Sequence, residues 1–373
     1  MRLVGAGTLV AGEPGTPRAC YTFPAVVALA DGTLLATARH GATKDGDDDQ
    51  VAVFVDRDDG RGFGPHRPLP PSPVLDGRSG TLKLAHLTQL ASGALLAAAM
   101  WVDRTSYPGR PLFNPDTEGC LPMAILLSRS DDLGASWTDW RRVDLPDELG
   151  PPSLTSPLIQ LADGSLAMSI ETNKAYLDAG PWPQRAVLLR SVDEGLSWGA
   201  PVTSAQDPSG GVFNWDLRIA VAGEQLVSFA WTYDRAAAAY RNIHRRVSMN
   251  LGRTWTAPVD VGVTDQPGRP AILPDGRLVL PWVDRFGSRS VRARLAEAPD
   301  APLDPGTDTI VYAHDPGVSP GVAGATLAGA LTDMELWSFG LPFAAAVGPS
   351  EVMVVYYAGT AQRMDIHWAR LAV

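Results

Sequence analysis

Apolar residues along the chain come in pairs of short runs, and a tight turn containing glycine separates the two runs of each pair. Two β-rich runs joined in this way are typical of a β-hairpin. The pattern occurs six times, beginning at Phe23, His86, Ser156, Leu217, Arg269 and, more weakly, Leu341, with turn glycines Gly32, Gly93, Gly164, Gly223, Gly276 and Gly348.

The turn glycines are 53 to 72 residues apart, which is too long for a simple solenoid and suits a four-stranded unit. Helical periodicity is almost absent, and the best candidate helix is a short stretch at 321–334. Recurring hairpins without covering helices favour an all-β six-bladed β-propeller of four-stranded antiparallel blades. No stretch of the 373 residues has the composition of a linker, so we predict one propeller domain spanning residues 1–373.

A second repeat has the pattern S-x-D-x-G-x-[ST]-W and is predicted to follow the third strand of a blade. Its aspartate can accept hydrogen bonds inside the turn, its glycine allows a positive φ, and its tryptophan buries a large apolar face. We therefore predict a scaffold role. The copies run from Ser130 to Trp137, from Ser191 to Trp198 and from Ser248 to Trp255, with a degenerate copy at Asp56, Asp58, Gly60, Gly62 and Phe63.

This repeat resembles the Asp-box, or bacterial neuraminidase repeat, and the whole chain resembles the sialidase superfamily of six-bladed propellers. The resemblance implies that the last blade takes its outer strand from residues 2–10, which would pair the two termini. It also implies an active site where first strands begin and second strands end, on the face away from the Asp-box turns.

Those positions hold carboxylates, arginines and aromatic residues, as a sugar site requires. The catalytic candidates are Asp47, Asp48, His86, Glu171 and Asp216. The substrate-binding candidates are Arg39, His40, Trp101, Arg104, Tyr233, Arg269, Arg285 and Tyr357.

The acidic loop after the first hairpin is where sialidases carry their acid/base aspartate, and Asp45, Asp47 or Asp48 could match it. Crowded carboxyl groups have raised pKa values, which favours proton donation, but a solvated loop or a calcium site fits as well.

Three further candidates have both a catalytic and a structural interpretation. His86 could be a general base or a structural histidine. Glu171 could belong to a catalytic carboxylate pair or pair with a channel arginine. Arg269 could supply a guanidinium that binds an acidic sugar, in place of the arginine that sialidases use for this purpose.

Three parts of the family's catalytic site differ in this chain. The arginine that clamps sialic acid is replaced in Thr22-Phe23-Pro24, and Ser156 and Glu171 stand where the third hairpin usually has glutamate and arginine. The last blade begins with Ser338 and Phe339, where the family has its nucleophilic tyrosine. We therefore do not expect ordinary sialidase activity.

Composition excludes several classes of function. A net charge of −10 argues against nucleic acid binding, and no apolar run is long enough to cross a membrane. Cys20 and Cys120 have neither disulfide nor metal-ligand spacing, and no secretory signal is evident, so we expect a cytoplasmic protein without cofactor or metal.

The predicted function is an exo-acting glycoside hydrolase of sialidase-like fold that takes a terminal, non-standard sugar, with acidic sugars among the candidates. Two loops at 104–122 and 172–184 are long enough to form the walls of a substrate pocket. A polysaccharide lyase acting on uronates and a non-catalytic glycan-binding propeller are the alternatives.

Overall fold

The computed structural model describes residues 1–56, 62–319 and 336–373, which form twenty-seven β-strands and two short 3-10 helices at Asp147–Leu149 and Pro305–Thr307. The sheets have a β-propeller arrangement, as the all-β prediction required. The candidate helix at 321–334, and Asp58 and Gly60 of the degenerate turn, lie outside the described residues.

Backbone hydrogen bonds join the strands into five sheets. The four-stranded sheet holds β6 (Gly80–Gln89), β7 (Leu95–Asp103), β8 (Met123–Ser130) and β9 (Arg141–Arg142). The three five-stranded sheets hold β10 (Ser153–Leu154), β11 (Ile159–Gln160), β12 (Leu166–Glu171), β13 (Arg185–Ser191) and β14 (Val202–Gln206); β15 (Val212–Ala222), β16 (Gln225–Asp234), β17 (Ala239–Tyr240), β18 (Asn242–Ser248) and β19 (Val259–Thr264); and β20 (Gln266–Pro267), β21 (Ala271–Ile272), β22 (Leu278–Asp284), β23 (Ser290–Ala296) and β24 (Thr309–Ala313).

The eight-stranded sheet contains two four-stranded sets, which meet at a parallel bridge between Cys20 and Met364. One set is β2 (Cys20–Ala28), β3 (Leu34–Gly41), β4 (Gln50–Asp56) and β5 (Gly64–Pro65), and the other is β25 (Phe339–Gly348), β26 (Glu351–Thr360), β27 (Arg363–Ala372) and β1 (Arg2–Val10).

All six predicted hairpins are present as antiparallel pairs: β2 with β3, β6 with β7, β11 with β12, β15 with β16, β21 with β22, and β25 with β26. The second strand of each hairpin is buried along most of its length, including its polar residues. Every residue of β7 is buried, for example, and so is every residue of β3 and β12.

The two chain ends pair as predicted, because β1 runs antiparallel to β27 from Arg2 opposite Ala372 to Val10 opposite Ile366. Gly7 lies opposite Trp368, and a Cβ atom at Gly7 would come within 2.9 Å of the indole ring. This glycine therefore lets the first strand lie flat against the tryptophan.

Three turns between the third and fourth strands share one set of hydrogen bonds. Ser130 Oγ donates to Asp132 Oδ1 (2.8 Å) and accepts from Gly134 N (2.8 Å), while Ser136 Oγ donates to Asp132 Oδ2 (2.6 Å). The turn at Ser191, Asp193, Gly195 and Ser197 has the same internal bonding. In the turn at Ser248, Asn250, Gly252 and Thr254 the serine bonds are kept, but an amide replaces the carboxylate and Asn250 Nδ2 donates to Thr254 Oγ1 at 2.8 Å.

Among the described residues, no helix combines the length and the apolar character needed to cross a membrane.

Candidate functional site

Irregular first strands create the site. β2, β6, β15 and β25 each contain a register shift near their beginning, and a bulge of this kind bends a strand and redirects its side chains. Three of the shifted residues have left-handed backbone: Phe23 (φ 51°), Asp216 (φ 50°) and Leu341 (φ 48°). Backbone strain of this type is common at functional sites.

The shifted residues face one cavity of about 170 Å³, which we call the site cavity. Loops 104–122 and 172–184 contribute to its wall through Leu112, Phe113 and Trp182, as predicted for these loops. The other lining residues are Thr22, Phe23, Pro24, Lys44, Asp45, Lys83, Leu84, His86, Met100, Ser153, Leu154, Thr155, Glu171, Asn173, Trp215, Asp216, Arg218, Trp231, Gln266, Trp337, Leu341, Pro342, Phe343 and Tyr357.

One wall of the site cavity is cationic. Lys83 Nζ and Arg104 Nη2 donate to Asp45 Oδ1 at 2.7 and 2.6 Å, and Arg39 Nη1 lies 3.7 Å from the same oxygen. Arg39 Nη1 also donates to Asp49 Oδ2 at 2.5 Å. Burial alone would raise the pKa of Asp45, but these three cations hold it well below its usual range, so Asp45 is ionised and a poor proton donor.

A second wall holds two neighbouring carboxyl groups with different partners. Glu171 Oε1 accepts from Leu217 N (2.8 Å) and Thr155 Oγ1 (3.1 Å). Burial, helped by the charge of Asp216, raises the pKa of Glu171 to about 8, so this carboxyl group is protonated at neutral pH. Asp216 accepts from Arg218 Nη2 (2.6 Å) and from Gln266 Nε2.

A protonated carboxyl group beside an ion-paired carboxylate is a common basis of acid and base assignments in an active site. This wall can therefore supply a neutral acid and a charge-paired carboxylate to the same ligand.

Tryptophans form the third wall. Trp231 lies 5.6 Å from Trp215 and 5.4 Å from Trp337 between ring centroids. The Nε1 atoms of Trp231 and Trp337 are buried, and neither has a hydrogen-bond partner among the described residues. The wall offers apolar faces for a sugar ring.

Tyr357 connects the aromatic and cationic walls. Its hydroxyl lies 3.2 Å from Lys44 Nζ, and Arg285 Cζ stacks 3.8 Å from the Trp337 ring centroid. A Cβ atom at Gly340 would lie 2.5 Å from Arg285 Nη2 and 3.0 Å from the Tyr357 hydroxyl, so glycine leaves room for this pair. Burial raises the pKa of Tyr357 to about 12 and lowers the pKa of Lys44 well below its usual range.

His86 lies at the floor of the site cavity, stacked 5.7 Å from Phe343. Neither ring nitrogen has a partner among the described residues. Burial, together with the charges of Arg218 and Arg269, lowers its pKa to about 3, so His86 is neutral under ordinary conditions.

The structure brings together seven of the thirteen residues selected from the sequence. His86, Glu171, Asp216 and Tyr357 line the site cavity, and Arg39, Arg104 and Arg285 support its lining residues.

The other six lie elsewhere. Asp47 has a side chain that is 65% exposed, and Asp48 accepts from Ala42 N within the acidic loop. His40 contacts Pro17 O, Trp101 Nε1 donates to Pro73 O, Tyr233 stacks behind Trp215, and Arg269 lines a separate cavity.

Several lining residues were not selected from the sequence, although two left a visible signal. Lys83 is a charged residue inside the apolar run of β6, and Trp215 directly precedes Asp216. Arg218 and Gln266, which bind Asp216, had no such signal. Among the described residues, no group of three or more His, Cys, Asp or Glu side chains could hold a metal ion.

No family model matches the chain. A sialidase from Micromonospora viridifaciens is 27% identical over 268 residues, which are 64% of this chain and 38% of that protein. The chain therefore spans less than two fifths of the length of this curated relative.

Solved structures share the fold at low sequence identity. A protein of unknown function from Dyadobacter fermentans has a TM-score of 0.73 at 19% identity, covering 100% of this chain and 99% of that one. The leech intramolecular trans-sialidase has a TM-score of 0.66 at 11% identity, covering 99% and 70%. The α-L-arabinanase of Penicillium chrysogenum, complexed with arabinobiose, has a TM-score of 0.63 at 14% identity, covering 100% and 99%. The chain thus has a sialidase-like propeller fold.

Proposed function

We propose that this chain is a six-bladed propeller that hydrolyses the glycosidic bond of a terminal sugar in the site cavity. The single observation that carries the proposal is the pair formed by protonated Glu171 and ion-paired Asp216 beside a tryptophan wall. Two supports concern the fold: the eight-stranded sheet divides into two four-stranded sets, and the three equivalent turns fit the Asp-box pattern.

Glu171 is suited to the role of general acid. A carboxyl group with a pKa of about 8 retains its proton at neutral pH and can transfer it to the departing glycosidic oxygen. Only Oε1 accepts the bonds from Leu217 and Thr155, which leaves Oε2 to carry the proton towards a ligand.

Asp216 is suited to act on the sugar ring. Its charge can stabilise the positive charge that develops at the anomeric carbon, either directly as a nucleophile or by activating a water molecule. Arg218 and Gln266 hold both carboxylate oxygens, so the group is oriented before the substrate binds.

The cationic wall supports an acidic substrate. Four basic side chains, Arg39, Lys44, Lys83 and Arg104, lie in and behind this wall with three acidic ones, Asp45, Asp47 and Asp49. An anionic substituent of a sugar would complete the charge balance.

The substituent is not expected to be bound as sialic acid is in an ordinary sialidase. Thr22, at the position of the missing clamp, accepts hydrogen bonds from Arg39 Nε and Nη2 and offers no charge of its own. We therefore propose a non-sialic acidic sugar, for which uronic acids are the first class to test.

The test is a panel of 4-methylumbelliferyl glycosides of neutral sugars, uronic acids and sialic acid. The wild type should release fluorophore from an acidic, non-sialic member. Glu171→Gln and Asp216→Asn should each lower kcat at least 100-fold while still binding the sugar in calorimetry. Asp132→Asn, which changes a turn away from the cavity, is the matched control and should keep full activity.

Three outcomes would contradict the proposal. Sugar binding without turnover by the wild type would indicate a glycan-binding protein, and an unsaturated product that absorbs in the ultraviolet would indicate a lyase. Strong turnover of the sialic acid glycoside would contradict the substrate assignment but leave hydrolysis standing.

A further inference from the structure

A second cavity lies on the other side of the Phe343 ring from the site cavity. It encloses about 680 Å³, and we call it the channel cavity. Its walls are first-strand segments and their hairpin turns, including Val26–Ala30, Leu87–Gln89, Pro157–Gln160 and Ala345–Val347. Phe343 lines both cavities and separates them.

Arg269 is held rigidly in the channel cavity. Its backbone forms a parallel bridge with Phe343, with Arg269 N donating to Pro342 O (3.1 Å) and Ala344 N donating to Arg269 O (3.0 Å). Gly268 permits this approach, because a Cβ atom there would lie 2.4 Å from Pro342 O. The guanidinium stacks 5.2 Å from the Phe343 centroid, and its Nη1 donates to Ala344 O at 3.0 Å.

This guanidinium has no counter-ion in the part of the chain that the structure describes. Arg269 is the one charged residue among those lining the channel cavity, where no aspartate or glutamate is present. Its Nε is buried and makes no hydrogen bond to a described residue. Burial lowers the pKa of Arg269 to about 10, so the side chain is still cationic at neutral pH.

A half-buried guanidinium without a counter-ion is costly when its Nε is shielded from solvent, and proteins normally pair such a charge with an anion. The usual solution, a carboxylate from a neighbouring strand, is missing from this cavity. Polar side chains such as Gln89 and Gln160 can contribute hydrogen bonds but no charge.

We propose that the channel cavity is a binding site for a small monovalent inorganic anion of the chloride type, with Arg269 as its cationic ligand. One guanidinium compensates one negative charge, and the largely apolar walls would leave a second charge of a divalent anion unpaired. This site is independent of the proposed hydrolysis, because the ring of Phe343 lies between it and the carboxyl pair.

Thermal unfolding at constant ionic strength tests the proposal. Sodium chloride replaces sodium isethionate, whose anion is much bulkier. The Tm of the wild type should rise with the logarithm of the chloride concentration, since a ligand that binds only the folded state stabilises it by mass action. Arg269→Met keeps a long side chain against Phe343 but removes the charge, so its Tm should not depend on chloride.

Arg67→Met, at an exposed position, is the matched control and should keep the chloride dependence of the wild type. An equal chloride dependence in wild type and Arg269→Met would overturn the proposal.

Bromide diffraction provides a second test that does not depend on a variant folding. Crystals of the wild type soaked in sodium bromide should show an anomalous peak within hydrogen-bond distance of the Arg269 guanidinium. Absence of that peak at saturating bromide would also overturn the proposal.

Discussion

Glu171 keeps its proton at neutral pH because it lies in a buried wall beside the negative charge of Asp216. Its pKa of about 8 exceeds the ordinary value of 4.5, so between these pH values the folded chain binds a proton that the unfolded chain releases. The free energy of unfolding should therefore fall as pH rises from 4.5 to 8. Denaturant titrations across this range should show the loss in the wild type.

The matched variant is Glu171→Gln, which has the same shape but no titration. Its stability should change less with pH over the same interval. Parallel profiles for variant and wild type would mean that Glu171 is ionised in the folded protein, and this would also remove the general acid from the proposed reaction.

His86 should make the protein sensitive to acid. Burial and two nearby arginines lower its pKa to about 3, against an ordinary value of 6.5, so the unfolded chain takes up a proton that the folded chain cannot. The contribution of His86 to stability is present above pH 6.5 and lost as pH falls towards 3. We expect His86→Phe to lose less stability than the wild type between these pH values in denaturant titrations.

His66→Phe serves as the control for this variant, because His66 is only part-buried and lies on a surface turn. It should follow the wild-type profile. If His86→Phe is equally sensitive to acid, the imidazole must have an acceptor or solvent contact that keeps it easy to protonate.

Sequence reasoning at this scale found the residues whose neighbours lie nearby along a strand and missed those whose role depends on distant partners. Glu171 and His86 stand out because a charged or polar side chain interrupts an apolar strand. Asp47 and Asp48 shared that acidic signal with Asp45, and only the cations contributed by other strands distinguish them. Lys44 and Lys83, two of the three lysines in the chain, both line the site cavity, which composition alone could not indicate.

The hairpins could be predicted because each of their strands has a continuous apolar signal. The bulges could not, since a register shift depends on how a strand fits its neighbours in the propeller. Phe23, Asp216 and Leu341 adopt a left-handed backbone conformation although none of them is glycine, and no local sequence pattern predicts that conformation. The positions that create the site are thus those where tertiary packing overrides local preference.

The repeated turns should tolerate substitution according to how tightly they pack against the next sheet. Gly252 and Gly276 have similar positive φ values of 81° and 92°, so alanine at either position costs about 1–2 kcal/mol in backbone strain. A Cβ atom at Gly252 would in addition lie 2.1 Å from Leu188 Cδ2, whereas a Cβ atom at Gly276 would have no other atom within 4 Å. Gly252→Ala should therefore destabilise the protein clearly more than Gly276→Ala in chemical denaturation.

The same two variants should lose stability without losing activity. Neither glycine lines the site cavity, so the folded fraction of each variant should keep wild-type kcat/KM. Equal destabilisation by the two substitutions would show that the turn at Gly252 does not pack against Leu188 in solution.

At the scale of the whole molecule, the pairing of β1 with β27 joins the first residues of the chain to the last. The pairing extends over nearly the full length of both strands, but most of β1 is exposed, so its contribution comes from backbone hydrogen bonds and from packing on Trp368. Without β1, residues 366–372 of β27 would become an unpaired edge. Removing residues 2–10 should therefore lower the Tm, broaden the unfolding transition and promote association.

A narrower variant distinguishes strand pairing from simple loss of chain. Gly7→Val retains every backbone group, but its side chain would collide with the Trp368 ring, which lies 2.9 Å from the Cβ position. If β1 closes the last sheet, Gly7→Val should reproduce part of the loss in Tm that the truncation causes. The control is Gly15→Val, at a position in open space after the strand, and it should lower the Tm by little more than the backbone strain of a positive φ costs. A truncated protein that melts as cooperatively as the full chain would show that the propeller holds together through its other contacts, such as the bridge between Cys20 and Met364.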